Sequence, residues 1–136
     1  MSIVIDASVA ACWIFENEAT PATDALLARV RDSGGIVPVL WNWEMANLLI
    51  AGVRRARLSM ADAAAFLGDL ALLPIVIDTE APARAWRETF LLAQTHALTA
   101  YDAAYLELAQ RAGLELASKD GELCAAARSA GVKLAL

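Results

Sequence analysis

Lysine, cysteine and histidine are scarce in this 136-residue chain, which has two lysines (Lys119 and Lys133), two cysteines and one histidine. The cysteines lack the paired spacing of a zinc site or redox motif, so we predict that Cys12 and Cys124 are buried, reduced thiols. Glycine and proline are also few, at 7 and 4, while 59% of residues are hydrophobic and 20% charged. These values exclude a disordered or collagen-like chain.

The chain has fewer basic than acidic residues, with 11 Lys and Arg residues and 16 Asp and Glu residues, which gives a net charge of −5. This balance argues against indiscriminate binding to nucleic acid. The basic side chains are mostly arginines, which suit bidentate contacts with phosphates. The single histidine, His96, lies between an apolar segment and a polar turn, so we expect it at a helix C-terminus or on the surface.

No segment has the composition of a membrane span. The mean hydropathy of +0.49 is high, but the longest weakly charged stretch, 33–53, contains Asn42, Glu44 and Asn47, which are costly in hydrocarbon. Asp6 interrupts any apolar region of a signal peptide, so we expect a cytoplasmic protein. A chain of this length buries roughly two thirds of its unfolded surface, which predicts a single domain over residues 1–136.

Short apolar segments alternate with helical patterns along the chain. Strands are predicted at 2–5, 36–39, 75–77, 114–117 and 132–136, and helices at 6–15, 20–33, 40–57, 59–73, 85–93, 99–113 and 121–130. This alternation predicts an α/β fold with three layers, in which a small parallel sheet of four or five strands is flanked by helices.

Four carboxylates occupy positions that such a fold can bring together. Asp6 and Asp120 follow predicted strands, Asp102 lies in the opening turn of a helix, and Glu44 lies early in the 40–57 helix. Ligands of open α/β sheets bind outside the carboxyl ends of the strands. Taken singly, however, Asp6, Asp102 and Asp120 are also consistent with helix caps, and Glu44 with a solvated helix face.

A cluster of four carboxylates requires neutralisation by protons or multivalent cations. Hard oxygen ligands without His or Cys select Mg²⁺ or Mn²⁺, which act on substrate phosphates. Ser8, Thr99 and Ser118 are candidates to orient the carboxylates or metal waters, although each is equally consistent with a cap. No glycine-rich phosphate loop is present, which argues against nucleotide hydrolysis of the P-loop type.

Four segments together resemble a known family. They are IVIDAS (3–8), WEMAN (43–47), LTAYDAAY (98–105) and LASKD (116–120). In this order and spacing they resemble the signature motifs of PIN-domain ribonucleases, and more narrowly the VapC toxins of bacterial toxin-antitoxin modules. The resemblance covers essentially the whole chain. Ser118 departs from the threonine of many relatives but keeps the hydroxyl.

The resemblance implies an endoribonuclease that depends on Mg²⁺, with Mn²⁺ as a substitute. Asp6 and Asp102 would be its main metal ligands. Asp120 would complete the metal site or act through water, and Glu44 would hold or deprotonate a water molecule. Ser8 and Asn47 would be supporting hydrogen-bonding residues.

The resemblance also implies a homodimer and a cognate VapB-type antitoxin, which together form a larger assembly. The antitoxin would occupy an apolar groove and insert a basic side chain among the carboxylates. Trp13, Phe15, Trp41 and Trp43 are candidate partner-binding residues or ordinary core residues. For RNA, the candidates are Arg54, Arg55 and Arg57, which are equally consistent with a basic helix C-terminus.

Two other functions stay open at the level of sequence. The first is an enzyme phosphorylated on Asp6, similar to haloacid dehalogenase-like phosphatases, although Asp6-Ala7-Ser8 lacks their second aspartate. The second is a non-catalytic PIN-like module that only binds a partner or nucleic acid.

Overall fold

A computed structural model describes residues 2–136, in which strands and helices alternate as predicted. The strands are β1 (Ile3–Ile5), β2 (Gly35–Pro38), β3 (Ile75–Asp78) and β4 (Leu116–Ala117). The helices are α1 (Ala7–Ile14), α2 (Pro21–Ser33), α3 (Leu40–Arg54), α4 (Met60–Leu72), α5 (Ala81–Arg84), α6 (Phe90–His96), α7 (Ala100–Ala112) and α8 (Gly121–Ser129). A π-helical segment, Ala85–Thr89, joins α5 to α6.

Polar side chains set the starts of several helices. The hydroxyls of Thr20, Ser59 and Thr99 each accept a hydrogen bond from the backbone N–H three residues on, and so does the carboxylate of Asp120. Each contact satisfies one of the unpaired N–H groups at a helix start. Pro21 follows Thr20 at the first helical position, where its missing N–H costs nothing.

The four strands form one parallel sheet in the order β3-β2-β1-β4. Because β-α-β crossovers are right-handed, the steps from β1 to β2 to β3 put α1–α4 on one face. The return from β3 to β4 puts α5–α7 on the other face. The packing agrees, since α1 contacts α2 and α3, while α7 contacts α5, α6 and α8. The order therefore reverses between β1 and β4, which makes that point the expected ligand crevice.

The core is built on β1 and α7. All three residues of β1 are fully buried, and α7 is buried over residues 103–109. Tyr105, Leu106 and Leu108 of α7 pack with Ile3 and Ile5 of β1 in one hydrophobic cluster. Each such side chain contributes roughly 1.5–3 kcal/mol on burial, so α7 is held firmly against the central strand.

A buried ion network ties α7 to the edge strand β3. The Arg111 guanidinium donates to Asp78 at 2.8 Å, to Glu107 at 2.8 Å and to Glu80 at 3.0 Å. Asp78 and Glu107 are almost fully buried, with side chains 8% and 4% exposed. The hydrogen bonds and charge of Arg111 hold the pKa of Asp78 below its ordinary value.

The structure departs from the sequence prediction in four places. The helix predicted at 85–93 is part of a longer run of α5, the π-helical segment and α6 over residues 81–96. The predicted strand at 132–136 is only an isolated bridge between Leu134 and Leu116, because β4 has just two residues to pair with. Helix α3 ends at Arg54 rather than at residue 57. Cys12 is buried and Cys124 is only half-buried, and both are free thiols. His96 ends α6, as predicted.

Among residues 2–136, no helix combines the length and the apolar character needed to cross a bilayer.

Candidate active site

A cavity of about 400 Å³ lies at the carboxyl ends of β1 and β4. All four predicted carboxylates line it, together with Ser8 and Asn47. No Lys or Arg side chain is among its lining residues. The topology thus brings together acidic groups that lie up to 114 positions apart in sequence.

Asp6 is the most buried of these carboxylates, at 5% exposure. Its Oδ2 atom accepts hydrogen bonds from the hydroxyls of Ser8 and Ser118, both at 2.7 Å. The two serines are held in turn by the backbone N–H groups of Lys119 and Asp120, at 2.9 and 3.0 Å. Pairing of β1 with β4 therefore fixes the Asp6 carboxylate in one orientation.

Asp120 has two roles. Its Oδ1 atom accepts the N–H of Leu123 at 3.0 Å, which caps helix α8. The same side chain lines the acidic cavity. The cap interpretation of Asp120 is therefore confirmed, and its role in a site stays a prediction.

Glu44 is anchored by a residue that the sequence analysis missed. The hydroxyl of the fully buried Tyr105 donates to Glu44 Oε1. Burial, and then the neighbouring charges of Asp6 and Asp102, raise the pKa of Glu44, while the Tyr105 hydrogen bond opposes this rise. Tyr105 lies three residues after Asp102, on the same face of a helix, and this spacing is the sequence signal that could have identified it as a site residue.

Asp102 lies in the first turn of α7, where Thr99 accepts its backbone N–H at 3.1 Å. Its carboxylate accepts no hydrogen bond from any residue that the structure describes. Burial, followed by the charges of Asp120, Asp6 and Glu122, raises the pKa of Asp102 from 3.8 to about 6. A carboxylate with this environment gains strongly from a nearby cation.

A family model, described as PIN domain, matches residues 3–129. The chain belongs to the PIN-domain family. The matched region contains all four acidic positions and every strand of the sheet.

Two similar proteins come from Pyrobaculum aerophilum. This PIN-domain chain is 28% identical over 123 residues to Ribonuclease VapC3, an alignment covering 90% of this chain and 92% of that protein. It also superposes on the crystal structure of PAE2754 with a TM-score of 0.67 and 26% identity, covering 93% of this chain and 86% of that one. The α/β architecture predicted from the sequence is therefore confirmed.

The carboxylates of this PIN domain do not form a tight cluster as they stand. Within residues 2–136, no three Asp, Glu, His or Cys side chains converge closely enough to hold one ion. Asp6, Glu44 and Asp120 each accept hydrogen bonds from donors of the protein itself. The four nevertheless line one cavity, and burial together with neighbouring carboxylate charges raises the pKa of Glu44 and of Asp102. Mg²⁺ is commonly held by one or two carboxylates plus waters, so the donor set fits such an ion.

The predicted RNA-binding arginines differ in their surroundings. Arg54 and Arg55 are exposed and form no ion pair with any described residue. Arg57 instead pairs with Glu18 at 2.8 Å and lies 3.8 Å from the centre of the Phe15 ring. Arg57 therefore has a structural role in joining the end of α3 to the segment after α1.

The four candidate partner-binding aromatic residues differ in how exposed they are. Phe15 and Trp41 are buried within the chain, and Trp13 is half-buried with its indole N–H donating to the Thr23 carbonyl at 3.0 Å. Trp43 is 69% exposed. In the monomer, Trp43 is thus the one of these four that presents most of its surface to a partner.

The raised pKa of Asp102 predicts a pH-dependent penalty on stability. An unfolded aspartate ionises near 3.8 and this one near 6, so the folded protein binds the extra proton between those values. Binding of this proton stabilises the folded protein fully below pH 4, and the stabilisation is lost as the pH rises through 6. We therefore expect Asp102→Asn, in the presence of EDTA, to raise the free energy of unfolding at pH 8 by on the order of 1 kcal/mol, a value discounted for solvent screening.

Asp62 provides a matched control, because it lies in the first turn of α4 with its N–H bonded to Ser59 at 3.0 Å and is exposed. Asp62→Asn removes the same favourable interaction with the helix N-terminus but relieves no acidic cavity. Urea unfolding at pH 4, 6 and 8 compares the two variants. Equal effects at pH 8 would contradict the electrostatic assignment of Asp102.

Proposed function

We propose that this PIN-domain chain is a divalent-metal-dependent endoribonuclease that hydrolyses RNA phosphodiester bonds. The observation that carries the proposal is the cavity in which Asp6, Glu44, Asp102 and Asp120 meet without a basic residue. The similarity to a protein named Ribonuclease VapC3 supports RNA as the substrate. Mg²⁺ is the proposed cofactor, with Mn²⁺ as a substitute.

The proposed roles follow from the contacts of each carboxylate. Asp6 and Asp102 would bind the ion, since Asp6 is preoriented by two hydroxyls and Asp102 has no protein partner. Asp120 would bind it directly or through water. A bound divalent cation offsets charge on the phosphate and acidifies water.

Glu44 is proposed as the proton acceptor. Tyr105 holds Glu44 Oε1, which leaves Oε2 to take the proton of the attacking water. Ser8 and Ser118 keep Asp6 in place, Thr99 positions the first turn of α7, and Asn47 lines the cavity beside Glu44. Arg54 and Arg55, at the far end of α3, would contact the RNA backbone.

We further propose that the chain acts as the toxin of a type II toxin-antitoxin pair in the cytoplasm. A cognate VapB-type antitoxin would inhibit it, and the chain would form a homodimer within a larger assembly. The exposed apolar side chains support a surface for protein partners. They include Trp43, Leu72, Trp86, Phe90 and Leu91.

Cleavage assays test the proposal directly. The purified chain, stripped of metal and free of antitoxin, should cut RNA when Mg²⁺ or Mn²⁺ is added and should cut none in EDTA. Both a single-stranded and a structured RNA are needed, because the target is not specified by the site. Sequencing of RNA ends after brief induction in cells would identify the cleaved bonds. If neither RNA is cut in Mn²⁺, the chain is a non-catalytic binding module.

A further inference from the structure

A second cavity, of about 220 Å³, lies beside the acidic one. Its walls come from the end of β2, the start of α3, the α5 region and the start of α7, and they are almost entirely apolar. Val39, Leu40, Pro82 and Tyr101 are among its lining residues. Neither this cavity nor the acidic one is lined by a Lys or Arg residue.

The two cavities are one helical turn apart along α3, where Leu40 lines the apolar cavity and Glu44 the acidic one, and they lie on different sides of the first turns of α7. Glu44 and Tyr105 meet in a hydrogen bond at the acidic cavity. Leu40 and Tyr101 precede them by four residues each, and residues four apart lie on the same helix face. The Leu40–Tyr101 pair therefore lies about 6 Å along the helix axes from the Glu44–Tyr105 pair.

Tyr101 is unusual for a residue that lines an apolar cavity, because 67% of it is exposed. It also directly precedes Asp102, the acidic side chain without a protein partner. Adjacent side chains leave a helix about 100° apart, so Asp102 lines the acidic cavity and Tyr101 lines the apolar one. A nucleotide whose phosphate is bound near Asp102 bridges the two when its base extends toward the Tyr101 ring. Aromatic rings are the usual surface on which proteins stack unpaired RNA bases.

We propose that this apolar cavity is a nucleobase subsite, in which Tyr101 stacks on the base next to the phosphate held at the carboxylates. The inference rests on the proposed ribonuclease function and specifies how single-stranded RNA is held. In a protein of net charge −5 with no Lys or Arg lining either cavity, phosphate contacts at the site depend on the bound cation and on Arg54 and Arg55 outside the cavity. Stacking of an uncharged base supplies affinity that this charge balance does not.

Binding of two hexamers in Mg²⁺ tests the subsite. The first is 2′-O-methyl hexaadenylate, which resists hydrolysis, and the second is an abasic hexamer with the same sugar-phosphate backbone. We expect Tyr101→Ala to weaken binding of hexaadenylate by about 5- to 150-fold, the range for loss of one stacked base. Binding of the abasic hexamer should not change. Fluorescence anisotropy with end-labelled hexamers measures both affinities.

Two variants control for other effects. Tyr101→Phe keeps the ring and should bind hexaadenylate as the unsubstituted protein does. Met60→Ala removes another exposed apolar side chain, from the start of α4 and outside both cavities, and should have no effect. Because Tyr101 is largely exposed, its variants should unfold at the same temperature as the parent protein.

The result that overturns the subsite is an equal affinity of the parent and Tyr101→Ala for hexaadenylate, or an equal loss for both hexamers. A change in oligomeric state on sedimentation, without a base-dependent loss of affinity, would assign the cavity to a contact between copies of the chain. RNA cleavage by the same preparations separates the two proposals. If the protein cleaves RNA but Tyr101→Ala loses no affinity that depends on the base, the subsite alone is refuted. If Tyr101→Ala loses such affinity but the parent protein does not cleave RNA, the nuclease alone is refuted.

Discussion

Asp6→Asn is expected to lower RNA cleavage by at least about a hundredfold while the fold stays intact. Loss of a residue that merely orients a metal ligand costs about 10- to 100-fold in metal affinity or activity, and a ligand itself should cost more. The asparagine Oδ1 atom can still accept the hydroxyls of Ser8 and Ser118, now donated to Asp6 Oδ2 at 2.7 Å. The substitution also removes one charge from a crowded acidic cavity, so stability should hold or rise.

Three measurements check this expectation: the cleavage rate, the rise in melting temperature on adding Mg²⁺, and growth arrest on expression. All three should be lost together in Asp6→Asn. Asp62→Asn, which changes an exposed aspartate on α4, should retain all three. A folded Asp6→Asn variant that still cleaves RNA and arrests growth would refute the site assignment.

Arg111→Ala is expected to destabilise the fold by about 3–5 kcal/mol, the usual cost of leaving buried charges unpaired. Arg111 is the partner of both Asp78 and Glu107, whose side chains are 8% and 4% exposed. The loss should shrink in acid. Arg111 lowers the pKa of Asp78, so its stabilisation is present above the unfolded pKa and disappears as the pH falls.

Arg84→Ala is the matched control, because among residues 2–136 Arg84 pairs only with the exposed Glu80 and Glu88, at 3.9 and 3.5 Å. Exposed pairs of this kind contribute about 0–1 kcal/mol. Denaturant unfolding at pH 7 and at pH 3, which is below the ordinary aspartate pKa of 3.8, compares the two variants. Similar losses for both would show that the buried network contributes no more than a surface pair.

Much of the site was predictable because short-range patterns place its residues. Asp6 and Asp120 follow apolar β-branched or buried segments, so the strand ends locate them at one edge of the sheet. Thr99 signals the start of α7 and thereby the position of Asp102. The strand order β3-β2-β1-β4, with its reversal between β1 and β4, was not predictable from these patterns, because handedness fixes only the face on which each connection lies.

Contacts between distant segments were not predictable in the same way. The spacing of Glu107 and Arg111 suggests a helical pair, but nothing local indicates that Asp78, 33 residues earlier, completes it. The bond from Tyr105 to Glu44 spans 61 residues, and Arg57 pairs with Glu18 across 39. Such partners depend on how helices pack in three dimensions, which one-dimensional periodicity does not encode.

The central position of β1 has a consequence for biosynthesis. The orientation of Asp6 depends on hydroxyl and backbone groups of residues 118–120, which join the sheet only through β4. A nascent chain therefore carries its first acidic residue from the outset but lacks the groups that orient it until about the last eighth of synthesis. We expect ribosome-bound fragments, and products of a frameshift before codon 118, to lack the proposed RNA cleavage.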